Sequence, residues 1–313
     1  ANRSHMQRLA FYSRARLHQL TDQLELAYER SPGYLVLLRS EKDQKLAQPG
    51  LQVLRDAGVT FHQIDAAAAR TVEPALNQDT AVAGAIHLPD DGVGNCRQFA
   101  LMLRRHAEML GARFVFNTTV ATVVPGPQAA VAIAGEPSPR RFDAVVVCAG
   151  LASATLLRPL GLKIPMAAVY GYSISANIRE PLNAPRSAVM DERYKVAISR
   201  LGMRVRVAGS AEIGGRLDTK RPAALQTLYK VLHDWFPGAA QMSGGVQEWK
   251  GARPMLPDGP PIVGASGIPG IWLNLGHGSS GWALSCGSAR AVADLVGGRT
   301  PDVDLQGLGI ERL

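Results

Sequence analysis

Cysteine, aromatic side chains and long apolar runs are all scarce in this 313-residue chain, and each scarcity removes a class of protein. The three cysteines, Cys96, Cys148 and Cys286, stand far apart with no Cys-x-x-Cys spacing. That excludes a disulfide scaffold and a thiolate metal centre, so no metal is expected. It favours a reducing, cytoplasmic compartment in which the thiols are buried apolar groups. The longest apolar run, Ala144 to Leu157, has 14 residues interrupted by Gly150, Ser153 and Thr155, too short to cross a bilayer. No secretory leader is visible, and Asn117-Thr118-Thr119 reads as a chance sequon. Aromatics make up only 6% and the arginines are scattered, apart from Arg3, Arg8, Arg14 and Arg16. The net charge of +8 therefore reads as general surface basicity, with no nucleic-acid partner.

What remains is an ordinary globular composition, 46% hydrophobic and 19% charged, long enough for two domains. Met6, Leu9, Ser13, Leu17, Leu20 and Leu24 recur at three and four residues, which predicts a helix over 6–29. A strand at Tyr34–Leu38, a helix over 40–57, a strand at Val59–Ile64 and a brief helix capped by Asp65 follow. A strand at Gly84–Leu88 is expected to close in the turn Pro89-Asp90-Asp91-Gly92. Asn95 caps a helix stopped by Gly111. Strands are expected at Ala112–Phe116, Val120–Val124 and Phe142–Ala149, the last apolar enough to be covered on both faces. Residues 166–210 switch to β alternation with few helix signals, as in an antiparallel sheet, and a helix starts at Pro222.

The densest signal is Ile271-Trp-Leu-Asn-Leu-Gly-His-Gly-Ser-Ser-Gly-Trp282, a buried strand entering a glycine-rich turn and an apolar helix. Such a turn lets a ligand approach bare backbone near the positive end of a helix. A tight turn with His277 merely hydrogen-bonded is the competing reading, as is His277 acting as a base. Cys148-Ala149-Gly150 ends its strand in small residues, where α/β sheets bind ligands; helix-to-strand packing explains it equally well. Arg253 lies in the proline-stiffened Lys250–Gly259 stretch, and arginine grips carboxylates bidentately; an exposed salt bridge is the plain alternative. Tyr172 and Tyr194 are hydrogen-bonding candidates or packing groups, and Asp191 and Asp258 suit turns.

At these residues the chain resembles the flavin-dependent amine oxidoreductases that include D-amino acid oxidase, glycine oxidase and sarcosine oxidase. Within them it is most similar to the small subunits of bacterial D-amino-acid dehydrogenases. The likeness is carried by Met6–Arg14, Glu73-Pro-Ala-Leu76, Leu88-Pro-Asp-Asp-Gly92, Asp191–Arg200, Gly251–Gly259 and Leu273-Asn-Leu-Gly-His-Gly278. It implies a mixed α/β fold in which an FAD-binding sheet domain (1–30, 92–162 and 255–313) is interleaved with an antiparallel substrate domain (31–91 and 163–254). Arg253 matches the arginine that pairs with the substrate carboxylate, and Tyr194 a tyrosine that helps hold it. Gly276, His277, Gly278, Gly281 and Trp282 match the loop beside the flavin ring. Val120, Ala149 and Gly150 match positions near the adenosine and ribose.

The family opens with a strand and Gly-x-Gly-x-x-Gly that grip the pyrophosphate; these 313 residues contain no such motif in that context. The FAD domain is therefore expected to be incomplete at its N-terminus, with weak cofactor retention and an exposed apolar sheet edge. The implied reaction is FAD-dependent oxidative deamination of a D-amino acid to a 2-oxo acid and ammonia, by hydride transfer from the α-carbon. Electrons would pass to a quinone or another acceptor, with peripheral contact at the inner membrane. The alternatives are an oxygen-using oxidase of glycine or sarcosine type, and an inactive fragment.

Overall fold

A computed structural model of the chain describes residues 2–313. Helix α1 (Asn2–Gln23) buries Leu9, Ser13 and Thr21 on one face. Strand β1 (Ser31–Leu38) leads into α2 (Glu41–Asp56), opened by a capping box. The Ser40 hydroxyl accepts from the Asp43 N–H while the Asp43 carboxylate accepts from the Ser40 N–H. After β2 (His62–Ile64), helix α3 (Ala66–Val72) starts on Asp65, whose carboxylate accepts from the Ala68 N–H at 2.8 Å. Strand β3 (Gly84–Val93) precedes α4 (Cys96–Met109), capped in the same way by Asn95. Strands β4 (Val120–Val124), β5 (Ala129–Ile133) and β6 (Arg140–Phe142) form an antiparallel meander. Next come β7 (Val145–Val147) and α5 (Ala152–Leu157). Strands β8 (Ala167–Asn177), β9 (Ala188–Asp191), β10 (Val196–Leu201) and β11 (Arg204–Ile213) lead to α6 (Pro222–Trp235). The chain ends with β12 (Gln247–Met255), β13 (Ile262–Ala265), β14 (Ile271–Leu275) and α7 (Gly281–Val296).

Two compact units are woven from discontinuous segments: Ala1–Leu26, Met102–Val169 and Ala252–Leu313 form the first, Ala27–Leu101 and Tyr170–Gly251 the second. The first unit holds a three-stranded sheet in the order β13-β14-β7 and the β4-β5-β6 meander. Its core joins Val147, Ile271, Leu273 and Leu275 from the sheet to Leu157, Ile164 and Leu256. A second cluster of Leu9, Val263, Leu284, Ala291 and Val292 fixes α1 to α7. Their crossing is close because α7 offers Gly287, where a Cβ would lie 2.8 Å from that of Ser13.

An eight-stranded mixed sheet, ordered β12-β8-β11-β10-β9-β1-β3-β2, dominates the second unit. Tyr172, Ile174, Val189, Ile198, Val205 and Val207 on the sheet meet Leu228, Val231, Leu232 and Trp235 of α6. Their periods, two along the strands and three to four along the helix, are those the sequence displays.

Four expectations fail for physical reasons. Residues 112–116 form no strand, since no neighbour pairs with them among the described residues; Phe114, Val115 and Phe116 are exposed. The strand expected over 142–149 splits into β6 and the three-residue β7, whose second edge is unpaired among the described residues and leaves Val146 37% exposed. The turn expected at Pro89–Gly92 is continuous strand, because Gly92 and Val93 pair with Pro32 and Ser31 across a bulge before Tyr34. Cys96 and Cys148 are exposed, leaving Cys286 as the one buried thiol.

Asp191 is the most constrained charge in the second unit. It is fully buried and accepts from Arg39 Nε at 2.6 Å, Trp235 Nε1 at 2.7 Å and the Tyr194 N–H at 3.1 Å. Removing one partner of a buried pair strands the other charge, so Asp191→Ala should cost about 3–5 kcal/mol in denaturant unfolding. Asp304→Ala, which breaks only the exposed pair with Arg8, should cost less than about 1 kcal/mol. Equal costs for the two variants would contradict this ranking.

Candidate active site

Strand β14 reads Ile-Trp-Leu-Asn-Leu with Ile271, Leu273 and Leu275 buried, so its alternation sets one face on the core. It runs antiparallel to β13 and parallel to β7, with Ile271 beside Val145 and Leu273 beside Val147. Parallel pairing places the carboxyl ends of β7 and β14 side by side. The turns Cys148-Ala149-Gly150 and Gly276-His277-Gly278 are therefore neighbours, at the strand ends where open α/β sheets hold ligands. Gly276 has φ +76°, and a Cβ there would lie 2.5 Å from Leu256 Cδ1, so no other residue fits. Gly150 also adopts a positive φ, +57°, but a Cβ would meet nothing within 4 Å, so its backbone faces open space.

A one-turn 3₁₀ segment, Gly278–Ser280, carries the second turn into α7, whose N-cap Ser280 gives no side-chain hydrogen bond. His277 forms a bridge with Met255 at the end of β12. Arg253 precedes Met255 by two residues on that strand, hence on the same strand face, about 7 Å along from the bridge. Burial draws the Arg253 guanidinium below its usual pKa, and it stays cationic at neutral pH. His277 Nε2 lies 2.9 Å from the Ser288 hydroxyl, and burial lowers its pKa to about 4, so the ring is neutral.

These turns suit a dinucleotide such as FAD. Two buried oxygens beside them, Ser153 Oγ and Asn274 Oδ1, find no partner among the described residues, and such groups are normally satisfied. Ser153 lies in the first turn of α5, three residues after Gly150, and Asn274 precedes Leu275 on β14. Val120 opens β4, which packs against α5, and is partly exposed. Ala149 uses its carbonyl to accept from the Ala152 N–H at 3.1 Å. Among the described residues no cluster of His, Cys, Asp or Glu could hold a metal, and no helix is long and apolar enough to cross a membrane.

Tyr194 belongs to the second unit, in the turn joining β9 to β10. Arg39 and Lys230 place their charges over its ring, 5.1 and 5.3 Å from the centroid, and its N–H is anchored on Asp191. Asp234 closes the network, accepting from Arg39 Nη2 at 2.7 Å. Arg39 and Ser288 escaped the sequence reading. A single arginine after an apolar strand, and a serine eleven residues beyond a histidine, carry no local signature. Tyr172 and Asp258 have structural partners: the Tyr172 hydroxyl donates to Glu212 and accepts from the Arg221 N–H, while Asp258 pairs with Arg312 at 2.7 Å.

The neutral His277 has a consequence for stability. Its folded pKa of about 4 lies below its unfolded value of about 6.5, so the unfolded chain takes up the proton first as pH falls. Stability is fully present above pH 6.5 and is lost progressively down to pH 4, by up to about 3 kcal/mol from this group. His277→Gln should flatten that part of the stability–pH curve. An unchanged curve in the variant would show that the ring is freely solvated.

Residues 1–295 match the family described as FAD dependent oxidoreductase. The D-amino acid dehydrogenase of Rhizorhabdus wittichii is 40% identical over 99% of this chain and 75% of its own length. The enzyme of that name from Cereibacter sphaeroides is 42% identical over 99% of this chain and 72% of its own. In fold the chain is similar to glycine oxidase from Geobacillus kaustophilus, with a TM-score of 0.86 at 23% identity, covering 97% of this chain and 82% of that one. Set beside the paired strand ends and their glycine turns, these likenesses place the chain in the FAD-dependent oxidoreductase family to which the D-amino-acid dehydrogenases belong.

Proposed function

We propose that the protein oxidatively deaminates D-amino acids, using FAD and passing the electrons to a quinone or a similar acceptor at the membrane surface. The observation that carries this reading is the bridge between Met255 and His277, which holds Arg253 on the strand end beside the glycine turn. An α-carboxylate matches the guanidinium fork bidentately. Amino acid dehydrogenases of similar sequence supply the substrate class. The first unit is assigned to the flavin and carries Arg253, and the second is assigned to the rest of the substrate contacts.

FAD, when bound, supplies an acceptor for the two electrons of the α-C–H bond. The residues that would hold it are Ala149, Gly150, Ser153, Asn274, Gly276, Gly278 and the α7 start at Gly281-Trp282, with Val120 nearer its adenosine end. Arg253 fixes the carboxylate and so aims the α-carbon. His277 stays neutral, so it adds no second cation beside Arg253. In the second unit Tyr194, held by Asp191 and Arg39, is the hydroxyl assigned to substrate binding. No side chain takes the α-proton; orientation and exclusion of water are the protein's contributions.

In the FAD-loaded enzyme, Arg253→Lys should raise KM and lower kcat, costing about 2–4 kcal/mol of transition-state binding. Charge survives the change but the bidentate fork does not. Near-normal kcat/KM would place the carboxylate anchor elsewhere. Acceptor choice is read separately: a D-amino acid should reduce a soluble quinone without stoichiometric peroxide. Stoichiometric peroxide would favour the oxidase reading. Failure to form a 2-oxo acid from any D-amino acid would reject both.

A further inference from the structure

Ser288 is 1% exposed on α7, and its hydroxyl has one proton to give and two neighbours to satisfy. The Ser285 carbonyl oxygen lies at 3.2 Å and His277 Nε2 at 2.9 Å. A carbonyl oxygen only accepts. Were the hydroxyl proton directed at His277, two oxygens would face each other at hydrogen-bond distance with no proton between them. Directed at Ser285, it leaves the Ser288 oxygen free to accept, and the histidine must then donate. A neutral imidazole carries one donor nitrogen and one acceptor nitrogen, so a proton on Nε2 makes Nδ1 the acceptor. No protein group among the described residues bonds Nδ1, and the ring sits between two positive-φ glycines whose turn the bridge to Met255 holds in place.

We infer that Ser288 is a positioning residue that locks His277 in the Nε2–H tautomer, turning Nδ1 into a fixed acceptor for an N–H donor of whatever occupies the turn at 276–278. The helix fixes the serine, the serine fixes the tautomer, and the glycine turn fixes the ring; a lone pair is thereby aimed without a charge. Burial reinforces this by keeping the ring neutral through the physiological range. His277 then serves as a hydrogen-bond acceptor for an amine or imide N–H and not as a general base, because a base this weak holds almost no proton at neutral pH. The inference deepens the proposed function by naming how this residue meets its ligand, but the tautomer itself stands independently of any turnover.

The test is a long-range proton–nitrogen NMR correlation on protein labelled with ¹⁵N-histidine, at neutral pH and without substrate. The His277 signals are assigned by their loss in His277→Gln. The expected result is one tautomer with the proton on Nε2. Ser288→Ala removes the acceptor and should replace that single pattern with a mixture, while circular dichroism and the melting temperature report an intact fold. Ser288→Thr keeps the hydroxyl and should restore the wild-type pattern; if the extra methyl disturbs packing, wild type against Ser288→Ala decides alone. A proton on Nδ1 in the wild type, or an unchanged pattern in Ser288→Ala, would overturn the inference. Loss of D-amino-acid oxidation with the wild-type tautomer intact would instead count against the proposed function alone.

Discussion

The parallel pairing of β14 with β7 is the constraint on which the candidate site depends. Two strands in parallel register deliver their carboxyl ends to one edge, and here each ends in a glycine-containing turn. Were the pair antiparallel, the turns at 148–150 and 276–278 would lie at opposite ends of the sheet. The position of α7, which buries Leu284, Ala291 and Val292 against α1 and β13, follows from the direction in which β14 points. Arg253 depends on the same strand, since its own strand is joined to the turn by the bridge between Met255 and His277. One pairing thus aligns two backbone turns, a buried imidazole and a cation.

Much of this was legible in the sequence, and what was missed shares a cause. The run at 271–296 states its own structure: alternation of buried residues, a glycine cluster, then a helical apolar period. The caps at Asp65 and Asn95 were equally plain, because a side chain and the backbone three residues on form a purely local bond. Strand pairing is not local. Residues 112–116 have the composition of a strand, yet a strand exists only where a neighbour accepts its hydrogen bonds. The apolar run through Ala149 suggested a strand covered on both faces, but only Val145–Val147 pair, and only along one edge. The bulge that carries β3 through Gly92 sets three of its residues, Pro89–Asp91, against the single Gly33 of β1, which lies far away in sequence and has φ +86°. Arg39 meets Asp191 across a separation of 152 residues, a distance no motif spans.

The second unit illustrates how a surface-type residue becomes a positioned one. Tyr194 lies in a four-residue turn, where side chains ordinarily wander. Asp191 accepts from its N–H, and two cations stack on its ring, while Asp234 accepts from both. Arg39 also lies 4.8 Å from the Trp235 centroid, so one guanidinium couples the turn to the buried end of α6. The carboxylates cannot be spared, since without them Arg39 would be a half-buried cation among aromatic rings. A charge network of this kind contributes little as separate pairs; its effect is to hold the turn in one conformation, as the proposed role of Tyr194 requires.

The charge pattern of the site also bears on the kind of chemistry it serves. Arg253 is a permanent cation on the strand end beside the glycine turn, and His277 is held neutral by burial. Proton abstraction from carbon needs a base whose pKa lies near the working pH, and His277, displaced to about 4, does not qualify. Hydride removal makes no such demand. It needs a substrate held in one orientation, an amine already free of its extra proton and an electron acceptor against the α-carbon. In the proposed reading Arg253 serves the first need by anchoring the carboxylate, and a His277 of pKa about 4 leaves the proton state of the amine to the substrate itself. The same reading gives the third to the backbone turns at the ends of β7 and β14, where Gly150 faces open space.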